Sequence, residues 1–228
     1  MMNKFKGLLL DIDNTLYDYG SAHAHALAGV CDYCADNFQL SRNDVLKYYN
    51  MARENVHIQL SETASSHNRL LYFQKMLELI NVNPLDHGFS IYNVYWDCFL
   101  ASIIPFRGVS ELMRRYNGDV CFVTDLTAHI QFRKIEKLGL NRYCDKLVTS
   151  EEAGKEKPHP YIFMLALNKL NMQAHQVCMI GDSFKKDIMG SSHLGITSIW
   201  LNTQESIQTY NKNTIQEVRS FNEVLELV

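Results

Sequence analysis

The sequence predicts an α/β protein: a Rossmann-like, three-layer core around a parallel sheet, with an inserted α-helical subdomain. Three observations predict this class. Short apolar runs of strand composition recur along the chain, helical patterns lie between most of them, and a long interval after the first run contains only helical patterns. Strands that alternate with helices are typical of doubly wound parallel sheets.

Five runs rich in Val, Ile, Leu or Phe are predicted as strands. They are Gly7–Ile12, Asp119–Thr124, Lys146–Thr149, Val177–Gly181 and Thr197–Leu201. A helix is predicted after the second run, with Thr127 at its N-cap and Gly139 at its end, and another after the third run, opened by Pro160. We expect the spatial strand order 3-2-1-4-5.

The interval between the first two runs is predicted to be an all-helical subdomain. Ser41 and Asp44 have the spacing of a capping box, and Val45, Tyr49 and Val56 fall on one helical stripe behind them. Roughly 80 residues is far more than the usual strand-to-helix connection of about 2–6. We therefore expect a core of residues 1–17 and 101–228, and a helical cap of residues 18–100 that closes over the site and selects the substrate.

Composition excludes several classes of protein. With a formal net charge of -3 in 228 residues, there is no basic surplus for a nucleic-acid polymer. No apolar stretch reaches the length of a signal peptide or membrane span, so the expectation is a cytoplasmic protein. The six cysteines lie in apolar stretches. Although Cys31 and Cys34 have CxxC spacing, they are expected to be ordinary thiols because no second ligand pair accompanies them.

Polar side chains follow four of the predicted strands. Asp11 and Asp13 end the first, Thr124 the second and Asp182 the fourth, while Lys157 lies in a proline-framed loop after the third; Asp187 follows Asp182 by about a turn of helix. The carboxyl ends of parallel strands form one edge of the sheet, where ligands bind. Spacing of two in an extended chain also directs Asp11 and Asp13 the same way.

These groups suit the hydrolysis of a phosphate monoester. A phosphate dianion repels a carboxylate nucleophile, so Mg²⁺, which prefers oxygen ligands, is expected beside Asp11, the backbone carbonyl of Asp13, and Asp182. Thr124 and Lys157 would bind the remaining phosphoryl oxygens. Asp11 would attack phosphorus to give an aspartyl-phosphate. Asp13 would protonate the leaving alcohol and then activate water.

The pattern resembles the haloacid dehalogenase superfamily, specifically its phosphatases with a helical cap after the first strand. The DxDxT motif matches Asp11, Asp13 and Thr15; Thr124 matches the Ser/Thr motif; Lys157-Pro158 matches the Lys-Pro motif; and Gly181 to Asp187 match the last motif. The resemblance implies that Asp182 is a magnesium ligand and that Asp187 coordinates magnesium or orients the site. This chain departs from many relatives by Asp125 and Lys186, each in place of Asn.

Other interpretations remain open from sequence. The second acid, Asp13, argues against a dehalogenase, and the strand positions of the acids argue against a phospho-accepting signalling domain. A phosphosugar mutase shares the same core residues, and a catalytically silent binding module is a further alternative. Lys155 is an alternative to Lys157 as the lysine that binds the phosphoryl oxygens.

The substrate is expected to be a small phosphate ester, such as a nucleotide or sugar phosphate. Candidate selectors in the cap are the polar residues Arg53, His57 and Arg69. The spacing of His23 and His25 does not favour a metal pair, because residues two apart face different sides of a helix. The sequence identifies neither the particular ester nor the oligomeric state.

Overall fold

The computed structural model describes residues 4–228, and the chain divides into two compact units. The first unit consists of the chain up to Asp18 together with Ile104–Val228, and the second is Tyr19–Ile103. The second unit is therefore a single insertion into the sequence of the first unit.

The second unit is helical. Its helices are α1 Tyr19–Phe38, α2 Arg42–Gln59, α3 Arg69–Leu79 and α4 Pro84–Ser102, with a 3₁₀ turn at Ala64–His67. Ser41 caps α2, since its hydroxyl accepts a hydrogen bond from the backbone N–H of Asp44 at 3.2 Å. The interior is aromatic, with Tyr72, Tyr95, Trp96 and others buried between the helices.

The first unit contains a six-stranded sheet in which neighbouring strands are parallel. The spatial order is β3-β2-β1-β4-β5-β6. These strands are β1 Gly7–Leu10, β2 Asp119–Thr124, β3 Lys146–Thr149, β4 Val177–Gly181, β5 Thr197–Leu201 and β6 Ile215–Val218. The predicted fold class and the order of the first five strands are confirmed.

Helices flank this sheet. They are α5 Val109–Arg115, α6 Ala128–Lys137, α7 Ser150–Ala153, α8 Pro160–Leu170, a helical turn Phe184–Met189 that runs into α9 Gly190–Ser192, and α10 Phe221–Leu227. Pro160 opens α8 as predicted, because the first helical position needs no N–H donor. Thr127 precedes α6 as predicted, but its side chain makes no capping hydrogen bond.

The core of the first unit fixes the strand ends. Leu9, Val123 and Met179, from three adjacent strands, pack with Ile162 and Phe163 of α8, all fully buried. Burial of each such side chain stabilises the fold by about 1.5–3 kcal/mol. The polar groups at the carboxyl edge therefore stand on a rigid base.

The strand predictions need two corrections. β1 ends at Leu10 rather than Ile12, because the chain leaves the sheet to turn at Asn14, whose φ is 62°. Asp11 keeps one strand-like bond, from its N–H to the carbonyl of Ile180 at 3.0 Å. β6 was not predicted, because Ile215–Val218 has only two apolar residues and follows a long polar stretch.

None of the helices in residues 4–228 combines the length and apolar character that crossing a bilayer requires.

Candidate active site

The predicted site residues of the first unit meet at the carboxyl edge of three adjacent strands. Asp11 follows β1, Thr124 ends β2 and Asp182 follows β4. β1 pairs with β2 on one side and β4 on the other, so the three strand ends are neighbours. This is the position at which open α/β sheets bind ligands.

Lys157 joins two of the predicted carboxylates. Its Nζ lies 2.6 Å from Oδ1 of Asp11 and 2.7 Å from Oδ1 of Asp187, and it donates to the carbonyl of Val123 at 3.0 Å. Lys157 is 3% exposed, whereas Lys155 is exposed. The structure thus brings Lys157, and not its rival, to Asp11.

Thr15 links the ends of β1 and β4. Its hydroxyl donates to Oδ2 of Asp11 at 2.7 Å and accepts from the backbone N–H of Asp182 at 3.1 Å. Thr15 is fully buried. The third residue of the DxDxT motif therefore orients the first carboxylate and anchors the loop that carries Asp182.

Gly181 makes room for Asp187. A Cβ atom at residue 181 would lie 2.4 Å from Oδ2 of Asp187, which is too close for any side chain. The same oxygen accepts a hydrogen bond from the N–H of Ser183 at 3.0 Å. The Gly-Asp-Ser sequence and Asp187 thus form one local unit that folds the carboxylate back toward Lys157.

The cluster of Asp11, Asp182 and Asp187 carries more negative charge than Lys157 balances. One ligand oxygen from each lies within 4.8 Å of the others. Burial raises the pKa of Asp11 well above its ordinary value; Lys157 opposes this rise, and the neighbouring carboxylates add to it. Burial, followed by Asp187, raises the pKa of Asp182 to about 7, and burial also raises the pKa of Asp187. An oxygen-only set with surplus negative charge fits a hard divalent cation.

The carboxylate of Asp13 lies apart from this cluster and is held by groups that the sequence analysis missed. Lys134 Nζ lies 2.7 Å and 2.8 Å from its two oxygens, and the hydroxyl of Tyr17 donates to Oδ1. Lys134 is fully buried. Although burial alone would raise the pKa of Asp13, the Lys134 ammonium and the Tyr17 hydroxyl hold it below its ordinary value.

Thr124 is oriented by Gln131, a third residue that motif spacing does not identify. The amide nitrogen of Gln131 donates to the Thr124 hydroxyl and to the carbonyl of Asp125, both at 2.8 Å, and lies 3.4 Å from Oδ2 of Asp13. Gln131 is fully buried on α6, one turn before Lys134. Gln131 and Lys134 are polar residues with i, i+3 spacing beside the apolar residues Ile130 and Ile135. This spacing is the sequence pattern from which their burial could have been predicted.

The two departures from the family pattern form a pair. Lys186 Nζ lies 2.7 Å from Oδ2 of Asp125, and Oδ1 of Asp125 accepts from the backbone N–H of Lys157 at 3.0 Å. Lys186 also lies 3.5 Å from Glu156. The unusual acid and the unusual base therefore offset each other beside the lysine loop.

Comparison with known proteins identifies the family. The family model for haloacid dehalogenase-like hydrolases matches residues 8–201, and this chain belongs to that family. It is 32% identical over 203 residues to the ribulose-1,5-bisphosphate 5-phosphatase of Halopiger xanaduensis, covering 87% of this chain and 85% of that one. It is 28% identical to the pyrimidine 5'-nucleotidase YjjG of Escherichia coli, covering 99% and 98% of the two chains.

Solved structures share the fold. The HAD-hydrolase YfnB from Bacillus subtilis, solved bound to magnesium, aligns over 99% of both chains with a TM-score of 0.74 and 22% identity. A 2-haloacid dehalogenase from Pseudomonas syringae pv. Tomato DC3000 aligns over 98% of this chain and 97% of its own, with a TM-score of 0.77 and 19% identity. At such identities the likeness concerns the fold.

The predicted family and enzyme class are thereby confirmed. The chain is a hydrolase of the haloacid dehalogenase superfamily. The relatives from Halopiger xanaduensis and Escherichia coli are phosphoric monoester hydrolases, the enzyme class that the sequence predicts.

Proposed function

We propose that this protein is a magnesium-dependent phosphatase that hydrolyses a small phosphate monoester through an aspartyl-phosphate on Asp11. The observation that carries the proposal is the buried cluster in which Lys157 contacts Asp11 and Asp187 beside Asp182. A nucleophile, a cation for the phosphoryl oxygens and an oxygen-ligand set stand together at one sheet edge.

Asp11, Asp182 and the backbone carbonyl of Asp13 are the proposed holders of Mg²⁺, with Asp187 coordinating it or orienting the site. When bound, the ion would neutralise the surplus negative charge and so permit a phosphate dianion to approach a carboxylate. Excess buried carboxylate and the raised pKa of Asp182 support this assignment.

In the first step, Oδ of Asp11 attacks phosphorus, and the bond to the ester oxygen breaks. Thr15 keeps the carboxylate in position by its 2.7 Å bond to Oδ2. Lys157 and the Thr124 hydroxyl bind phosphoryl oxygens, over which charge spreads in the transition state. The leaving alkoxide takes a proton from Asp13 and departs as an alcohol.

In the second step, Asp13 removes a proton from water, which attacks phosphorus and releases inorganic phosphate from Asp11. Lys134 and Tyr17 favour the ionised form of Asp13, which is the form that this step needs. To act as an acid in the first step, Asp13 must gain a proton with the incoming ester.

The proposed substrate class is a phosphorylated sugar, triose or nucleotide. The names of the relatives support this range, which runs from a sugar bisphosphate and a pyrimidine nucleotide to glyceraldehyde 3-phosphate in the phosphatase of Methanothermobacter thermautotrophicus. That residues 18–100 act as a substrate-selecting cap stays a prediction.

The direct test is phosphate release from a panel of such esters, with Mg²⁺ or with EDTA. We expect release that requires Mg²⁺, disappears in Asp11→Asn, and falls about 10²–10³-fold in Lys157→Met, because a preorganised charge at the transition state is removed. Lys155→Met is the matched control and should retain activity. Transfer of phosphate to a second position of a sugar, without release, would instead favour a mutase.

A second test needs no turnover. Mg²⁺ that binds only the folded protein stabilises it, by about 2.7 kcal/mol at a concentration 100 times the Kd. This stabilisation is measured as a rise in the melting temperature. Asp182→Asn should lose most of this stabilisation. Equal stabilisation of wild type and Asp182→Asn would contradict the assignment of the metal ligands.

A further inference from the structure

The helical unit contains a buried arginine whose charge no carboxylate balances. Arg69 is 6% exposed, and within residues 4–228 it forms no ion pair with an acidic side chain. Its guanidinium bonds instead to neutral groups: Nε to the hydroxyl of Tyr95 at 3.3 Å, Nη1 to the carbonyl of His67 at 2.7 Å, and Nη2 to the hydroxyl of Tyr19.

Burial of such a charge without a counterion is unfavourable. A guanidinium stays protonated in proteins, so it cannot escape the desolvation cost by losing its proton. Arg69 is also the first residue of α3, where the helix dipole already presents positive charge. The faces of Tyr72 and Tyr95, 5.1 Å and 5.6 Å from the guanidinium carbon, offset only part of this cost.

Around Arg69 there are more hydrogen-bond donors than the helical unit supplies with acceptors. Arg69 has five N–H groups, and three of them are accounted for by the bonds given above, which leaves two for a further acceptor. The hydroxyl of Tyr49 is fully buried and has no hydrogen-bond partner within residues 4–228. Buried polar groups are almost always bonded, so an unbonded hydroxyl points to an absent partner.

Tyr49 and Arg69 belong to one cluster. The ring of Tyr49 contacts that of Tyr72, at 5.9 Å between centroids, and Tyr72 lies over the guanidinium. On the other side, His23 contacts the Tyr49 ring at 5.9 Å, and its Nδ1 bonds to the hydroxyl of Tyr95 at 2.7 Å.

His23 adds a further donor. Burial first, and then the positive charges of Arg69 and Arg53, lower its pKa to about 4, so the ring is neutral near pH 7. Nδ1 of His23 shares a hydrogen bond with the Tyr95 hydroxyl. In the tautomer in which that hydroxyl donates to Nδ1, the ring proton is on Nε2 and can be donated to a further acceptor. Tyr19 and His23 are half-buried, so this edge of the cluster borders the surface.

We propose that this cluster is a binding site for an oxyanion, a carboxylate or phosphate group, held by Arg69 and Tyr49 within the helical unit. A carboxylate or phosphate supplies the missing negative charge, offers paired oxygens to the two remaining N–H groups, and gives Tyr49 an acceptor. The anion is either a second acidic group of the phosphate ester or a free metabolite anion. In the first case the inference rests on the proposed function and narrows its substrates to esters with two acidic groups.

The first arm of the test measures binding without catalysis. Thermal unfolding in EDTA with increasing inorganic phosphate is compared for wild type, Arg69→Met and Tyr49→Phe. We expect phosphate to bind about 10- to 100-fold more weakly to Arg69→Met, because charge-assisted hydrogen bonds are lost, and several-fold more weakly to Tyr49→Phe. Arg42→Met, in which an exposed arginine that begins α2 is replaced, is the matched control and should bind as wild type.

The second arm identifies the source of the anion. Glycerol 3-phosphate and 3-phosphoglycerate differ in that a carboxylate replaces a hydroxymethyl group. If the anion belongs to the ester, wild type prefers 3-phosphoglycerate over glycerol 3-phosphate in kcat/KM, and the ratio of the two kcat/KM values falls toward 1 in Arg69→Met and Tyr49→Phe but not in Arg42→Met. If the anion is free, only the phosphate titration depends on Arg69 and Tyr49.

The inference is overturned if both variants bind phosphate as wild type does and keep the same preference between the two esters. Should Arg69→Met not fold, Tyr49→Phe decides the question, since loss of an unbonded hydroxyl leaves the fold intact. Absence of phosphate release from every ester would contradict the proposed function alone, because the first arm does not require turnover.

Discussion

Individual residues at the sheet edge divide into those that motif spacing predicts and those that it misses. Asp11, Lys157 and Asp182 carry sequence motifs, and their side chains lie close together in the structure. Lys134 and Gln131 follow a strand by a full helical turn or more. From sequence alone, the side chains of α6 could not be placed relative to Asp13, because that requires the packing of α6 on the sheet.

Lys134 is expected to position Asp13, since its ammonium contacts both carboxylate oxygens from a fully buried site. Lys134→Met should lower kcat by about 10–100-fold with little change in KM, since orientation of the acid–base group is lost while phosphate contacts remain. The pH profile of kcat should shift upward because the pKa of Asp13 is no longer held low. Steady-state kinetics across pH measures both effects.

Lys137→Met is the control for this prediction, because Lys137 is exposed and lies on the same helix. If the pH profile of kcat for Lys134→Met coincides with those of wild type and Lys137→Met, Lys134 does not position Asp13.

The pair formed by Asp125 and Lys186 predicts non-additive effects of substitution. The two charges lie 2.7 Å apart with side chains 15% and 37% exposed, so each single neutral substitution removes the nearest opposite charge from a partly buried group. In a double-mutant cycle of Asp125→Asn and Lys186→Asn, the double variant should be more stable than the singles imply, by about 1 kcal/mol. Chemical denaturation measures it; additive values would show that the two departures are independent.

At the scale of the element, the helices and strands with strong local signals were predicted and those with weak ones were not. Four of the five predicted strands have the observed bounds, since each is rich in apolar residues, as strands of a buried parallel sheet are. Edge strand β6 has two adjacent polar residues, Gln216 and Glu217, and pairs with β5 on one side of the described sheet, so its sequence lacks the apolar run that marks the other strands. Its place in the sheet depends on tertiary pairing.

Within the helical unit, His23 of α1 predicts a pH dependence of stability. Its pKa falls from 6.5 to about 4 on folding, so between these values the unfolded chain binds more protons than the folded one. The contribution of His23 to the free energy of unfolding is therefore fully present above about pH 6.5 and is lost as pH falls toward about 4. At roughly 1.4 kcal/mol per pKa unit, and discounted for partial exposure, the loss is on the order of 2 kcal/mol.

Urea denaturation at about pH 7 and about pH 5 measures this loss for wild type and His23→Gln. The substitution should remove about half or more of the difference in the free energy of unfolding between the two pH values. An undiminished difference in His23→Gln would assign the acid sensitivity to other groups. His25 is exposed on the same helix, and His25→Gln is the matched control.

For the whole molecule, the sequence predicts most of what positions the site, because order along the chain determines which strand ends become neighbours. A first strand flanked by the second and fourth brings Asp11 between Thr124 and Asp182. The oxyanion cluster of the helical unit could not be predicted in this way. Arg69, Tyr49 and His23 come from three helices, and no motif spacing relates them.

The proposed mechanism depends on one covalent bond, which forms between a phosphoryl group and Asp11. The most direct measurement is acid quenching of a radiolabelled phosphate ester during turnover with Mg²⁺, followed by peptide mapping. We expect label on the peptide that contains Asp11. This label should be sensitive to hydroxylamine, as an acyl phosphate is, and absent from Asp11→Asn. Label on another residue, or rapid hydrolysis with no labelled protein at any time point, would contradict the proposed mechanism.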